Sequence, residues 1–392
     1  MANKTIPQLP EQTGKTDNDL LAIVDSGETT TSKIKVSTLL DGVAVGNLLE
    51  SNGTNSFRTP QYATTDTAGD GQLIIGGDGG SSISNTDANS TIIGSRSSNL
   101  TDGTDGMIIV GGWVNNLSHT GANSRSGIIA GGYANTVTGK RNFTNGTFNT
   151  NSSDQGAVLA GESNNISGTR SAIIAGNNNT MTGGNSVIAG GTSNTVPGDN
   201  AAIIGGTNGS NSTPRAVMVG GRDNSIGSEG GEASIMCGGR SNSINTNTYG
   251  RYNGIYSSYD STIRNGGGAS YYNSQLLVLG GNNNVIEHTG TYPNMTTVGG
   301  NNNVLEDSSR GVIVGGNNTT LSGHTNSVMI GCSGRTSGSD YYTYVESLEA
   351  FTHIVLNDYS NLNFASDSAA ATGGVPLGGL YHNAGDLKVR IT

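Results

Sequence analysis

Residues 157–168 read AVLAGESNNISG, 172–183 read AIIAGNNNTMTG, 187–198 read VIAGGTSNTVPG and 217–228 read VMVGGRDNSIGS. Aligned on their pair of small residues, the copies start at Ala160, Ala175, Gly190, Gly205 and Gly220, 15 residues apart. A fixed period this short marks a solenoid in which each repeat is one coil. The phrase extends outward in both directions, with its first small residue at Gly76, Gly94, Gly111 and Gly131 on one side. On the other it falls at Gly238, Gly280, Gly299, Gly315 and Gly331, which makes fourteen copies.

Strand geometry explains why these residue types coil. Fifteen residues at about 3.3 Å each hold two or three short strands and their corners. The β-branched triplet supplies one strand. The Gly pair supplies a corner, because Gly reaches positive φ without steric cost. Asn tolerates the left-handed region and can stack on its copy in the next coil as an amide ladder. A second apolar residue (Ile166, Met181, Val196, Ile226) opens the return strand, and Thr-Gly, Ser-Gly or Pro-Gly pairs then signal a turn. A helix is excluded by Gly alone, at about 1 kcal/mol per internal Gly. The expected fold is all-β: a parallel β-solenoid of about 15-residue coils.

Side chains alternate faces along a strand. The middle residue of the triplet is apolar in every copy but Thr297, and the flanking columns are apolar or Thr. Both faces of this strand are therefore expected to be buried. A thin coil has one inside, so the second face is expected to meet sister chains. The alternative is a wider coil that closes over both faces. We expect a homotrimer, with the contact on the middle column: Ile109, Ile129, Ile173, Ile188, Ile203, Met218, Met236 and Ile313.

Composition bounds the function. Gly is 63 of 392 residues, more than double the usual share of about 7%. A formal charge of −10 argues against a nucleic-acid surface, which needs basic patches. No run of 18 apolar residues exists, so no membrane insertion is expected. The first residues lack a basic start and an apolar core, so no secretory signal is expected. Cys237 and Cys332 occupy different columns, many coils apart, and are expected as free thiols. No cofactor and no metal are expected, since the five His have no ligand spacing and the 76–80 run GGDGG occurs once.

Residues 1–45 lack the repeat. Strands are expected at 20–24 and 33–36, with a short helix capped by Ser37. Ile6, Gln8-Leu9-Pro10, Asp19-Leu20-Leu21, Ile23-Val24-Asp25, Thr30-Thr31 and Lys33-Ile34 form a motif that resembles the N-terminal segment of bacteriophage tail-fibre and related virion proteins. That resemblance implies a virion-attachment domain and a place on the virion. Residues 46–72 read as a linker or a cap for the solenoid, which runs over 73–336. The SVIAGG-type phrase resembles the head repeats of trimeric autotransporter adhesins (YadA-like). The resemblance implies a left-handed β-roll and three chains; the doubled small pair and the added Asn lengthen the coil relative to that family.

Two stretches read as insertions, 138–156 and 245–275. They carry Phe143 and Phe148, and Tyr249, Tyr252, Tyr256, Tyr259, Tyr271 and Tyr272. Aromatic rings on loops of a rigid scaffold offer contact area and a hydroxyl, so these eight are candidates for receptor or glycan binding. Packing of the rings on the solenoid wall is the plainer alternative. Residues 337–392 read as a separate β-rich piece with strands at 341–351 and 353–356, a helical turn from Asp367 and a hairpin turning at Asn383-Ala384-Gly385. Its ending, AAATGGVPLGGLYHNAGDLKVRIT, resembles a C-terminal motif of marine bacteriophage and algal-virus structural proteins, which implies a distal tip or a trimer clamp.

No catalytic residues are assigned. Acid pairs exist (Glu229 with Glu232, Glu306 with Asp307), and two acids about 5–9.5 Å apart can hydrolyse a glycosidic bond. Acids on Gly-rich turns are more often solvated charges. The expected function is therefore a non-enzymatic virion fibre that contacts a host-surface glycan or receptor, with a tailspike-type polysaccharide depolymerase as the alternative. An ice-binding array is set aside, because Asn116, Asn165, Ser225, Ser243, Val285 and Val304 break the Thr rank of 136, 180 and 195.

Overall fold

The computed structural model describes residues 20–23, 32–35, 50–51 and 57–58, and most of the chain from 72 onward. From there it omits 76–80, 85–88, 102–105, 119–126, 229–232, 247–251, 257–258, 266–274, 281, 289–293, 300, 307–309, 339, 341 and 346–358. The chain forms two units, 1–344 and 345–392.

The first unit is a parallel β-solenoid, and residues 186–200 show its plan. Val187–Ile188 is a strand of the first sheet, with Ser186 and Ile188 pointing in and Val187 pointing out. Gly190 and Gly191 turn the corner at φ 135° and 90°. Thr192 bridges in parallel to Asn177 and Thr207 in the adjacent coils. Ser193 is left-handed at φ 55°, and Asn194 points in. Thr195–Val196 is a strand of the second sheet, with Val196 in the core. Ile188 pairs in parallel with Ile173 and Ile203, and Val196 with Met181. Stacking continues this way through a second sheet of 15 strands.

The second Gly of the pair is fixed by the neighbouring coil. A Cβ at Gly176 would lie 2.3 Å from the Gly191 carbonyl oxygen, whereas one at Gly190 or Gly205 would meet nothing within 4 Å. This is why Ala160 and Ala175 occupy the first place in the pair and Gly161 and Gly176 the second.

The Asn column forms the amide ladder its spacing suggests. The Asn194 N–H donates to Asn179 Oδ1 (2.9 Å), and Asn194 Oδ1 accepts from the Gly209 N–H (2.8 Å). Asn194 Nδ2 donates to the Gly206 carbonyl of the next coil (3.2 Å). Asn135, Asn149, Asn164 and Asn179 repeat the pattern. Each amide thus satisfies backbone groups that a tight, dry corner would otherwise leave unpaired.

Two sequence expectations change. The middle column (Ile109, Ile129, Ile173, Ile188, Ile203, Met218, Met236, Ile313) is the interior of each chain's own coil, at no more than 1% exposure. It is not available to an oligomer contact, and the outward apolar columns are its neighbours. Second, both stretches read as insertions contain a full coil: Phe143–Thr144 pairs with Ile128–Ile129 and Ala157–Val158, and Gly254–Tyr256 with Ile235–Cys237. Of the two readings of 46–72, the pairing favours the cap over the linker: Glu50–Ser51 and Phe57–Arg58 form an antiparallel pair that joins Leu73–Ile75 of the first sheet. The expected strands near the N-terminus are present as the antiparallel pair Leu20–Ile23 and Ser32–Lys35. The helix proposed at Ser37 lies outside the described residues.

The coil at 142–153 has a polar interior. Thr144 and Asn151 stand where most other coils carry Ile, Val, Leu or Met, and Asn151 Nδ2 donates to Thr144 Oγ1 (3.2 Å). The Ser153 hydroxyl donates to Asn151 Oδ1 (2.8 Å). This rung divides the apolar core into two clusters, Ile74 to Val137 and Val158 to Cys332.

Thr297 is the other polar residue of the middle column, fully buried with its hydroxyl unpartnered. A buried hydroxyl without a hydrogen bond costs about 1–3 kcal/mol. Thr297→Val keeps the shape and removes that cost, so the denaturant midpoint is expected to rise, by about 1 kcal/mol in stability.

In the second unit, Ser366 caps the helix Asp367–Thr372 by accepting from the Ala369 N–H (3.2 Å). Leu380–Asn383 and Asp386–Val389 form a hairpin turned by Ala384 and Gly385, both at positive φ, as a two-residue turn requires. Ala370, Val375 and Tyr381 make a small core. Of the strands expected in the C-terminal piece, Thr343–Val345 instead joins the first sheet, with Tyr344 packed on the core of the first unit, and the one expected at 353–356 lies outside the described residues.

Candidate interaction surfaces

The two sheets turn very different faces to the outside. Outward positions of the first sheet include Ile108 and Val110, Ala157 and Leu159, Ala172 and Ile174, Ala202 and Ile204, Val217 and Val219, Val312 and Val314, and Val328 and Ile330, with Thr91, Asn145, Gly254 and Thr296 as breaks in the apolar columns. The second residue of each pair is exposed, Ile174 at 44% and Ile204 at 49%. The corresponding positions of the second sheet include Thr136, Thr150, Asn165, Thr180, Thr195, Ser210 and Ser225. The strands of this first sheet stack in parallel from Leu73–Ile75 to Val328–Ile330, and at about 4.8 Å per strand the face is about 70 Å long. Two side chains wide, it exceeds the few hundred Å² that a single-chain soluble protein usually exposes in one patch.

The proposed aromatic binding residues scatter. Tyr249, Tyr271 and Tyr272 lie outside the described residues. Phe143 and Tyr256 sit half-buried on the outer face of the first sheet. Tyr252 is 58% exposed at φ 60°. Tyr259 occupies the bridging column, with the Arg240 guanidinium 5.8 Å from its ring centre. Tyr252, Tyr256, Asn253, Ile235, Gln275 and Leu277 border an open cleft of about 510 Å³, left where Gly254 interrupts the outer apolar column.

Phe148 belongs to a group that the sequence reading did not assemble. It meets Tyr133 edge-on with ring centres 5.1 Å apart, and Tyr133 meets Trp113 at 5.5 Å. The Arg96 guanidinium lies 4.7 Å from the Trp113 ring centre. Trp113 and Tyr133 each follow a Gly-Gly pair, a signal visible in the sequence once the coils are stacked.

The acid pairs do not form a site among the described residues: Glu229, Glu232 and Asp307 are outside them, and Glu306 ends the strand Val304–Glu306. No group of three potential metal ligands occurs among the described residues. Cys237 and Cys332 are free thiols.

In the C-terminal unit, one carboxylate gathers the chain end. Asp367 Oδ1 accepts from the Tyr381 hydroxyl (2.6 Å), and Oδ2 from the N–H groups of Ile391 (2.7 Å) and Thr392 (3.1 Å). The Tyr381 bond, then the Ile391 bond, hold its carboxyl below the ordinary 3.8. A lowered folded pKa gives stability that is present above the ordinary value and lost as pH falls below it. Asp367→Asn is expected to speed amide exchange at Ile391 at neutral pH. The unmodified chain should show the same loosening on acidification below the ordinary carboxylate range.

Neither a protein-family model nor a curated protein matches the chain.

Proposed function

We propose that this chain is a structural virion fibre protein, a homotrimer whose solenoids associate through the outer face of the first sheet and present a surface to a host glycan or receptor. The observation that carries the reading is the apolar outer face itself, which recurs in most coils, while the second sheet's outer face is mostly Ser, Thr and Asn, with Val285 and Val304 as exceptions. A face of this size is stable in water only when covered, and a second copy with the same periodic face matches it rung for rung. Two apolar columns side by side offer one contact to each of two neighbours, as a closed ring needs, and three is the smallest such ring. Support for the count also comes from the likeness of the repeats to trimeric adhesin heads. Support for the virion comes from the motifs at 6–34 and 369–392 and their likeness to virion proteins.

Sedimentation equilibrium of the full chain tests the association. Three times the 39.8 kDa chain mass is expected, and a single chain at neutral pH would overturn the proposal. Antibody labelling of particles tests the place: label on fibres supports it, and absence from purified particles removes the virion reading.

A further inference from the structure

We infer that the corner carrying Trp113, Tyr133 and Phe148 is a binding platform for a neutral, extended hexose glycan; this deepens the fibre reading and rests on it. The three rings come from consecutive coils and form one row along the solenoid, at 46%, 38% and 50% exposure. They pack edge to face, with interplanar angles of 77° and 86°. Successive ring planes are therefore close to perpendicular. Arg96 closes the row at one end. In later coils the bridging column is polar at Thr147, Glu162, Asn177, Thr192 and Thr207.

Backbone conformation supplies a second, independent observation. The residue after the bridging position is left-handed in every coil and is Ser, Asn or Asp at Ser97, Ser163, Asn178, Asn208 and Asp223. Those types suit that conformation. Among the described non-glycine residues of this column, it is apolar only at Val114 (φ 57°), Ala134 (φ 54°) and Phe148 (φ 54°). A β-branched or bulky side chain there is strained, and the fold has an unstrained solution in its other coils. Strain is retained where a surface is used. Here it coincides with the aromatic row.

The chemistry of the platform points to a sugar. Three residues beyond Trp113, Tyr133 and Thr147, across the corner, stand Asn116, Thr136 and Thr150, outward on the second sheet. A pyranose has an apolar C–H face for the rings and a rim of hydroxyls for such a polar rank. Single-stranded nucleic acid also stacks on aromatics, but it needs a positive groove, and the chain's formal charge is −10. Among the described residues one cation, Arg96, lies over these rings, too few to select an anionic glycan over a neutral one.

Trp113 is the chain's one tryptophan, so fluorescence excited at the red edge of indole absorption, where the 14 tyrosines do not absorb, reports on this site alone. The full chain is titrated with cellohexaose, laminarihexaose and mannohexaose, and with an oligogalacturonate and a proline-rich peptide as competitors of other chemistry. A saturable change with at least one neutral hexaose is expected, and none with the oligogalacturonate or the peptide. Phe148→Asn is expected to weaken binding by about tenfold or more while its melting temperature stays level or rises, because Asn suits φ 54°. Silence toward all three neutral hexaoses, a response to the charged or peptide probe alone, or undiminished binding by Phe148→Asn overturns the inference. Sedimentation of the same sample separates the two failures. A silent trimer removes the platform only, and a single chain removes the fibre reading.

Discussion

Replacing Ile174 and Ile204 together with aspartate is expected to break the proposed trimer into single chains that remain folded. Both side chains project from the outer face of the first sheet, and neither belongs to the chain's own core clusters. Within one chain the substitutions remove little packing, and the strand-propensity cost is about 1 kcal/mol. At a chain-to-chain contact the consequences are much larger. Each lost isoleucine forfeits about 1.5–3 kcal/mol of burial, and each carboxylate brought into a dry contact costs several kcal/mol more. Three chains carry six such changes, so association falls by many powers of ten. Sedimentation velocity should show the chain mass alone, with an unchanged β circular-dichroism spectrum. Ile188→Asp is the contrasting variant: it lies one column over, at 0% exposure, and should unfold the chain. If the outer pair leaves the trimer intact, the first sheet is not its interface.

Gly176→Ala is expected to destabilise the solenoid by about 3 kcal/mol or more, although it adds one methyl group. The position has φ 111°, where an L side chain is strained. The new Cβ would stand 2.3 Å from the Gly191 carbonyl oxygen and 2.5 Å from Asn179 Nδ2. That amide donates to the same carbonyl at 3.1 Å, so relieving the clash also opens a rung of the ladder. Gly205→Ala is the matched control. Its φ is 71° and no atom lies within 4 Å of the added Cβ, which leaves only the backbone term of about 1–2 kcal/mol. Chemical denaturation of the two variants separates the effects. Equal losses would mean that close stacking of the coils is not what selects the second glycine.

Much of this architecture is legible in the residues. The 15-residue spacing, the β-branched triplet, the Gly corner and the Asn ladder all follow from local stereochemistry, and so do the Asp367 helix and the Ala384-Gly385 hairpin. Two kinds of fact are not local. Alternation says that Ile188 and Ala189 face opposite ways, but not which of them faces in; that sign depends on how the coil closes. The hidden coils escaped for a different reason. The first has Phe143-Thr144-Asn145 in place of an apolar triplet, and the second follows Gly254-Ile255-Tyr256 with Ser-Ser instead of a small Gly pair. Their backbone pairing tolerates what the pattern forbids. The aromatic row needs vertical register as well: residues 113, 133 and 148 become neighbours only after the coils are stacked.

The polar rung at Thr144 and Asn151 bears on how such a rod gives way. In a stacked array, cohesion passes only between adjacent repeats, so one weakly coupled junction limits how far disorder spreads. Hydrogen bonds inside that rung keep it shaped, yet they contribute little greasy adhesion to the turns above and below. Fraying that begins at one end of the shaft therefore meets a firebreak there, and the far segment keeps its form.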